Sequence, residues 1–368
     1  MVSAGKLCLR FFANAEALSL ARKGLQWVEA LAPAERVCLT LELREIMLAA
    51  APVDDWEAAA AEFAALAEQA LDHGAMAHAR RGYHMASYVL WQHGHWTGAH
   101  EEILQAERVA RSGSEVEHIS GLAEAARCLA MLERDLSQAE ALLMEAQALA
   151  RRKRIGHCAI PGGLGMLRFH QNKLDEAVGL FKEARALAKS AGDRISEFQA
   201  NEYLAMIELE RGRFDAAKAY CALMIELGEK IRDGSERPFA HALDGLCHYA
   251  LTDDTAPLDA ALDDLRAADA KHRMAYTQTR AALIDIERRR HDRAIARATE
   301  ALACAEALDR ATEIMLAHVA LALASRASND EAGFVRHRAA LARLENAPVA
   351  LWARERAAAL TAPLARPA

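Results

Sequence analysis

The chain is 368 residues long with a formal net charge of −7; 53% of it is apolar, yet aromatics make up only 5%, and there are 19 glycines and 8 prolines. The negative charge opposes a general role on nucleic acid or on an anionic membrane. Seven scattered cysteines, at positions 8, 38, 128, 158, 221, 247 and 304, form no Cys-x-x-Cys pair. That argues against zinc or a redox dithiol and for reduced, mostly buried residues in a cytoplasmic protein.

Alanine, leucine, glutamate and arginine dominate, the residues that lose least on entering a helix, whereas long strands would need more Val, Ile, Thr and Tyr. Met1 to Arg10 holds no apolar core of signal-peptide length, and the longest uncharged stretch, Ile155 to Leu167, is too short to cross a bilayer. Asn14 to Leu31 reads as the second helix of a pair, with too few residues ahead of it for a full first helix. Residues 1–31 are therefore expected to be a partial repeat, and the chain a piece of a larger protein.

Gly94-His95-Trp96-Thr97-Gly98-Ala99 matches Gly212-Arg213-Phe214-Asp215-Ala216-Ala217, and Asn172-Lys173-Leu174-Asp175-Glu176-Ala177 is a weaker copy. Aligning the final small residue gives Ala17, Ala59, Ala99, Ala139, Ala177, Ala217, Ala261, Ala294 and Gly333, spaced by 42, 40, 40, 38, 40, 44, 33 and 39. A period near forty marks a repeat array. The Gly or Asn is expected to close the first helix (A) in a left-handed turn, the large residue to insert between the helices, and the alanine to let the second helix (B) come close. Apolar residues at helical spacing, as in Leu142, Leu143, Ala146 and Leu149, make both halves of each unit helical.

Breaks are expected at Asp193, at Asp233-Gly234-Ser235 and at Thr252-Asp253-Asp254-Thr255, the last adding about four residues. Pro348 to Leu360 has no partner motif and reads as a capping helix, with 346–368 as cap and tail. The predicted class is all-α, with residues 1–368 forming one right-handed superhelical solenoid of antiparallel helix pairs.

The Gly-x-large-x-x-Ala turn between paired helices resembles the tetratricopeptide (TPR) repeat. Its forty-residue period looks like the variant found in the maltose-regulator-like sensor regions of bacterial signal-transduction ATPases. Cys8-Leu9-Arg10-Phe11-Phe12-Ala13-Asn14-Ala15-Glu16-Ala17-Leu18 also resembles the start of the helical region in proteins that join an ATPase module to such repeats. The resemblance implies a sensor or interaction module.

In such arrays the A helices line the concave face, where partners bind. Counting back from the turn residue brings Arg81, His84, Tyr88, Trp91 and Gln92 inward in the unit ending at Gly94. The following units add Arg127, then Phe169 and His170, then Gln199, Glu202 and Glu210. A cationic and aromatic stripe suits a peptide, a carboxylate or a flat ring. The alternative is that Tyr88 and Trp91 merely pack against the neighbouring helix.

Pro161-Gly162-Gly163-Leu164-Gly165 falls inside an expected A helix. Either that helix is bent and opens the groove, or it starts at Pro161 with Gly165 at a packing contact. His93, His95 and His100 read as a metal cluster or as polar turn residues; no cysteine or carboxylate stands at ligand spacing. Arg151-Arg152-Lys153-Arg154 and Arg288-Arg289-Arg290 are expected at helix C-termini, complementing the helix dipole rather than nucleic acid.

The chain has no phosphate-binding loop, no dinucleotide fingerprint, no His-Glu-x-x-His and no Gly-x-Ser-x-Gly. The expectation is a non-catalytic module with no cofactor and no metal, acting as the sensor of a bacterial signalling or transcription regulator. Its partner would be a protein, a peptide or a small-molecule inducer, with no direct contact to nucleic acid or membrane. A free-standing adaptor and an enzyme built in the groove are the alternatives.

Overall fold

A computed structural model of the protein describes residues 1–11, 13–51, 53–231 and 234–362. Phe12 of the opening segment, Asp233 of one expected break and residues 363–368 of the expected tail lie outside the described residues. Among the described residues there are nineteen α-helices and no strand.

The helices fall into A and B partners: α1 (Val2–Arg10) with α2 (Asn14–Val28), α3 (Pro33–Ala50) with α4 (Trp56–Asp72), and α5 (Met76–Gln92) with α6 (Trp96–Ala110). Next come α7 (Glu115–Leu132) with α8 (Leu136–Lys153), α9 (Ala159–His170) with α10 (Leu174–Ala191), and α11 (Arg194–Glu210) with α12 (Phe214–Gly228). The series closes with α13 (Glu236–Thr252) and α14 (Ala256–Ala267), α15 (Lys271–Glu287) and α16 (His291–Ala307), α17 (Ala311–Ala327) and α18 (Glu331–Arg343), and a final α19 (Leu351–Thr361). This is the all-α, TPR-like arrangement that the period predicts.

The turns are built as expected. Backbone φ is +77° at Gly94, +69° at Gly212 and +58° at Asn172, the left-handed region in which a Cβ is unwelcome. The same turn is also made without glycine, at Arg289 and Asn329, at a cost of roughly 1 kcal/mol each. Ala17, Ala59, Ala99, Ala139, Ala177, Ala217 and Ala294 each stand fourth in their B helix, and all but Ala59 are fully buried. Here the missing side chain is what lets B approach A.

Two of the nine aligned positions slip. Ala261 and Gly333 stand near the true equivalents, Leu258 and Phe334, each buried and five positions after a left-handed residue, Asp253 and Asn329. The spacing of 44 therefore does not reflect a longer Thr252–Thr255 turn. That connection has the same three residues as the one between Gln92 and Trp96, and the extra length lies between Gly228 and Glu236.

The chain forms two compact units: Met1–Leu164 with Lys182–Ala200 and Glu226–Gly234, and Gly165–Phe181 with Asn201–Ile225 and Ser235–Ala368. In the first unit α5 packs on both α3 and α7; in the second, α15 packs on α13 and α17, and α19 on α17. A helices thus lie beside A helices. All seven cysteines are free, but only Cys128, Cys221 and Cys247 are buried; the other four are partly exposed, because they sit where a helix face meets solvent.

The Pro-Gly segment does not break its helix. α9 begins at Ala159, two residues earlier than expected, and Pro161 occupies the first turn, where its missing N–H costs nothing. A Cβ on Gly163 would sit 3.0 Å from the Leu143 methyls, and one on Gly165 3.0 Å from the Phe181 ring. These glycines are packing contacts. The two basic runs end α8 and follow α15, as the dipole argument expects.

Candidate functional site

In the first unit α5 carries the bases, and α3 and α7 bring the acids. His78 Nε2 lies 3.2 Å from Glu42 Oε1, and Lys6 Nζ 2.5 Å from Glu42 Oε2. One turn along, Arg81 pairs with Glu45. On the opposite flank Arg80 donates from Nε to Glu117 Oε2 at 2.5 Å and also pairs with Glu124. His84 Nδ1 is 3.0 Å from Glu124 Oε2, and His157 Nε2 3.9 Å from Glu124 Oε1.

Burial pushes the Glu124 carboxyl up, but His84 and Arg80 beside it prevail and hold it well below the usual carboxylate range. His157 is shifted the other way. Burial and the Arg127 charge lower its pKa against the pull of Glu124.

The predicted stripe is brought together in this unit. Arg81, His84, Tyr88 and Gln92 lie half-buried on α5, and Gln92 Nε2 donates to the Tyr88 hydroxyl at 2.8 Å. Trp91 is buried, 6% exposed, and its ring stacks on Tyr88 with centroids 6.2 Å apart. Arg127 on α7 donates from Nη1 to Ser196 Oγ at 3.0 Å and to Gln199 Oε1 at 3.4 Å, both on α11. Sequence reasoning missed Arg80, Glu42, Glu45, Glu117 and Glu124. The available signal was an acid one period from a base, as in Glu45 and Arg81 or His84 and Glu124.

Phe169, His170 and Glu202 belong to the second unit. Phe169 is buried between Tyr203, edge-on at 6.0 Å, and Trp352, stacked at 5.4 Å. The Nε2 of His170, partly exposed at the end of α9, makes no hydrogen bond among the described residues. Glu202 lies 3.5 Å from Arg273 Nη2; burial raises its pKa more than Arg273 lowers it. Glu210 receives Arg280 Nε at 2.8 Å, Arg356 Nη1 at 2.6 Å and the Tyr276 hydroxyl at 3.2 Å. Burial raises the Glu210 pKa, but the two arginines bring it below the ordinary value.

The histidines of the α5–α6 turn are engaged with protein. His93 stacks on Trp56 at 5.6 Å, His95 lies 6.0 Å from the same ring, and His100 Nε2 is 2.9 Å from Asp135 Oδ2. No group of three or more His, Cys, Asp or Glu suited to a metal stands among the described residues. No helix among them is long and apolar enough to cross a membrane.

No family model matches the chain, and no curated protein matches it. Solved structures do. The chain is similar to a Rap protein complexed with competence and sporulation factor, with a TM-score of 0.65 and 11% identity over 98% of both chains. It is also similar to the Rap conjugation gene regulator of the plasmid pLS20 in complex with the Phr* peptide, at 0.55 and 13% identity over 95% of this chain and 98% of that one. A third is aspartyl phosphate phosphatase F from Bacillus subtilis, at 0.53 and 13% over 82% and 92%. At such identities the likeness concerns the fold, which is that of a TPR-like helical-repeat protein.

Proposed function

We propose that the chain is a non-catalytic peptide- or protein-binding module that receives its partner on its A-helix faces, as the sensor or interaction part of a bacterial signalling or transcription regulator. The observation that carries this reading is the row Arg81, His84, Tyr88, Gln92, Arg127 and Gln199, half-buried and held by neighbours. Side chains already fixed lose little entropy on meeting a ligand. Among the described residues Arg127 has neutral hydrogen-bond partners, so its charge is available to a carboxylate.

The likeness to the Rap conjugation gene regulator solved in complex with the Phr* peptide, over 95% of this chain and 98% of that one, supports a peptide as the first class of partner to try. A small-molecule inducer is the alternative ligand. His170 and Glu202 extend the same reading to the A helices of the second unit, as does Phe169 where Trp352 does not cover it, and Trp91 stacks on Tyr88.

The test is capture from cell extract followed by mass spectrometry, comparing wild type with a Tyr88→Ala, Arg127→Ala double variant. Partners retained by wild type and lost by the variant are expected. Identical captured sets would remove these residues from the site.

A further inference from the structure

In a stacked repeat each helix touches only its near neighbours. The last of the described helices, α19, does more. Within the second unit the Trp352 ring stacks on Phe169, near the end of α9, at 5.4 Å. Asn172 Nδ2, in the turn after α9, donates to Glu355 Oε2 at 2.7 Å, and Arg356 Nη1 meets Glu210 Oε2 of α11 at 2.6 Å. The Arg280 guanidinium of α15 lies 5.1 Å from the Trp352 ring, and the Ala350 amide donates to Thr312 Oγ1 of α17 at 3.1 Å. Ala353 and Ala357, on the same face of α19, are buried.

One helix of 11 residues is thus held by four A helices through an aromatic socket, a carboxylate one turn further on, and alanines that permit close approach. That is the pattern of a helix bound in a groove, with anchors at i, i+1, i+4 and i+5. We propose that the A-helix face formed by α9, α11, α15 and α17 in the second unit is a helix-binding site, with α19 as its internal occupant. The partner it accepts in exchange is an amphipathic helix presenting an aromatic residue and, four positions on, an arginine.

Two features make the occupant exchangeable. A segment this short holds no stable helix by itself in water, so α19 depends on its anchors. It is also joined to α18 by a short segment, residues 344–350, and α17 packs on α18 in its own right. The short tether gives α19 an effective concentration on the order of millimolar. A partner of modest affinity is therefore excluded until the anchors of α19 are weakened.

The probe is a fluorescent peptide with the sequence of residues 349–362, followed by anisotropy against full-length proteins. Arg356→Glu turns the charge against Glu210 and frees α19 from its seat. The peptide is expected to bind this variant at least about tenfold more tightly than wild type. A peptide carrying W352A and R356E is expected to bind neither. Trp352→Ala replaces Arg356→Glu should the charge reversal unfold the protein, as circular dichroism would reveal. Equal binding to wild type and variant, or none to a folded variant, overturns the proposal. Arg81, Tyr88 and Arg127 are untouched, so the partner proposed for the first unit stands or falls separately.

Discussion

The Arg280 guanidinium lies 3.7 Å from the centre of the Tyr276 ring, one turn back on α15, while its edge is shared between Glu210 and Glu313. Burial disfavours its charge, but the two carboxylates more than compensate and raise its pKa. Glu313 is 1% exposed and has little other recourse. Arg280→Met should destabilise the protein by about 3–5 kcal/mol, because a buried carboxylate loses its partner. Adding Glu313→Gln should recover part of that loss. Denaturant midpoints for the two single variants and the double variant check this coupling; strict additivity would contradict it.

Gly165 and Gly179 should respond to alanine with opposite signs. At Gly165 the new Cβ meets the Phe181 ring at 3.0 Å on three atoms, whereas at Gly179, in α10, nothing lies within 4 Å. Gly165→Ala should cost about 1–3 kcal/mol through overpacking. Gly179→Ala should add about 0.5–1 kcal/mol by restricting the unfolded chain within a helix. Thermal melts of the two variants distinguish packing from hinge behaviour in α9.

Acid should weaken the fold in two stages. Burial lowers the pKa values of His157, His272, His318 and His337, and His318 Nδ1 stands 3.1 Å from His337 Nδ1, where one ring must donate and the other accept. Unfolded histidine titrates near 6.5. As pH falls below that value the unfolded chain binds protons that the folded chain refuses, so stability is full above about pH 6.5 and declines as pH falls through the lowered folded values. Each such histidine contributes a slope of up to about 1.4 kcal/mol per pH unit. The carboxylates Glu124 and Glu210, whose folded pKa values are depressed, add a second loss below about pH 4.3. Urea titrations from pH 7 to 5 should show the first slope, and a His318→Gln, His337→Gln variant should reduce it, leaving the part due to His157 and His272.

Site variants should separate by burial. Arg81→Ala breaks a pair whose side chains are 30% and 31% exposed, so its effect on stability should stay within about 1 kcal/mol. Trp91→Ala removes a ring that is 6% exposed and should cost about 3–5 kcal/mol. Calorimetry decides this. A Trp91 variant as stable as the Arg81 variant would mean that the indole is not a packing element.

The helix pairs were legible because one signal recurs: a left-handed turn residue followed, five positions later, by an alanine with no room for a side chain, as in Gly94 and Ala99. Register failed where a small residue stood near the true position, as at Ala261 near Leu258, since composition cannot tell a packed position from a nearby alanine. The stripe on α5 was found from helical spacing alone. Its carboxylate partners were not, because Glu45 and Glu124 lie one repeat away and their charges look like those of any solvated helix face. The seating of α19 on Phe169 and Glu210 was invisible for the same reason, since contacts across several repeats leave no periodic trace.

The alternation of bases on α5 with acids on α3 and α7 fixes the order in which these repeats can stand. Repeats of one length need not be interchangeable, and α5 is matched to its own neighbours. A second α5 inserted beside the first would set Arg80, Arg81 and His84 against their own kind, without Glu45 or Glu124 to receive them. The sequential order of the repeats is thus recorded in their charges, and recombination that shuffled them would be penalised even where every helix kept its length.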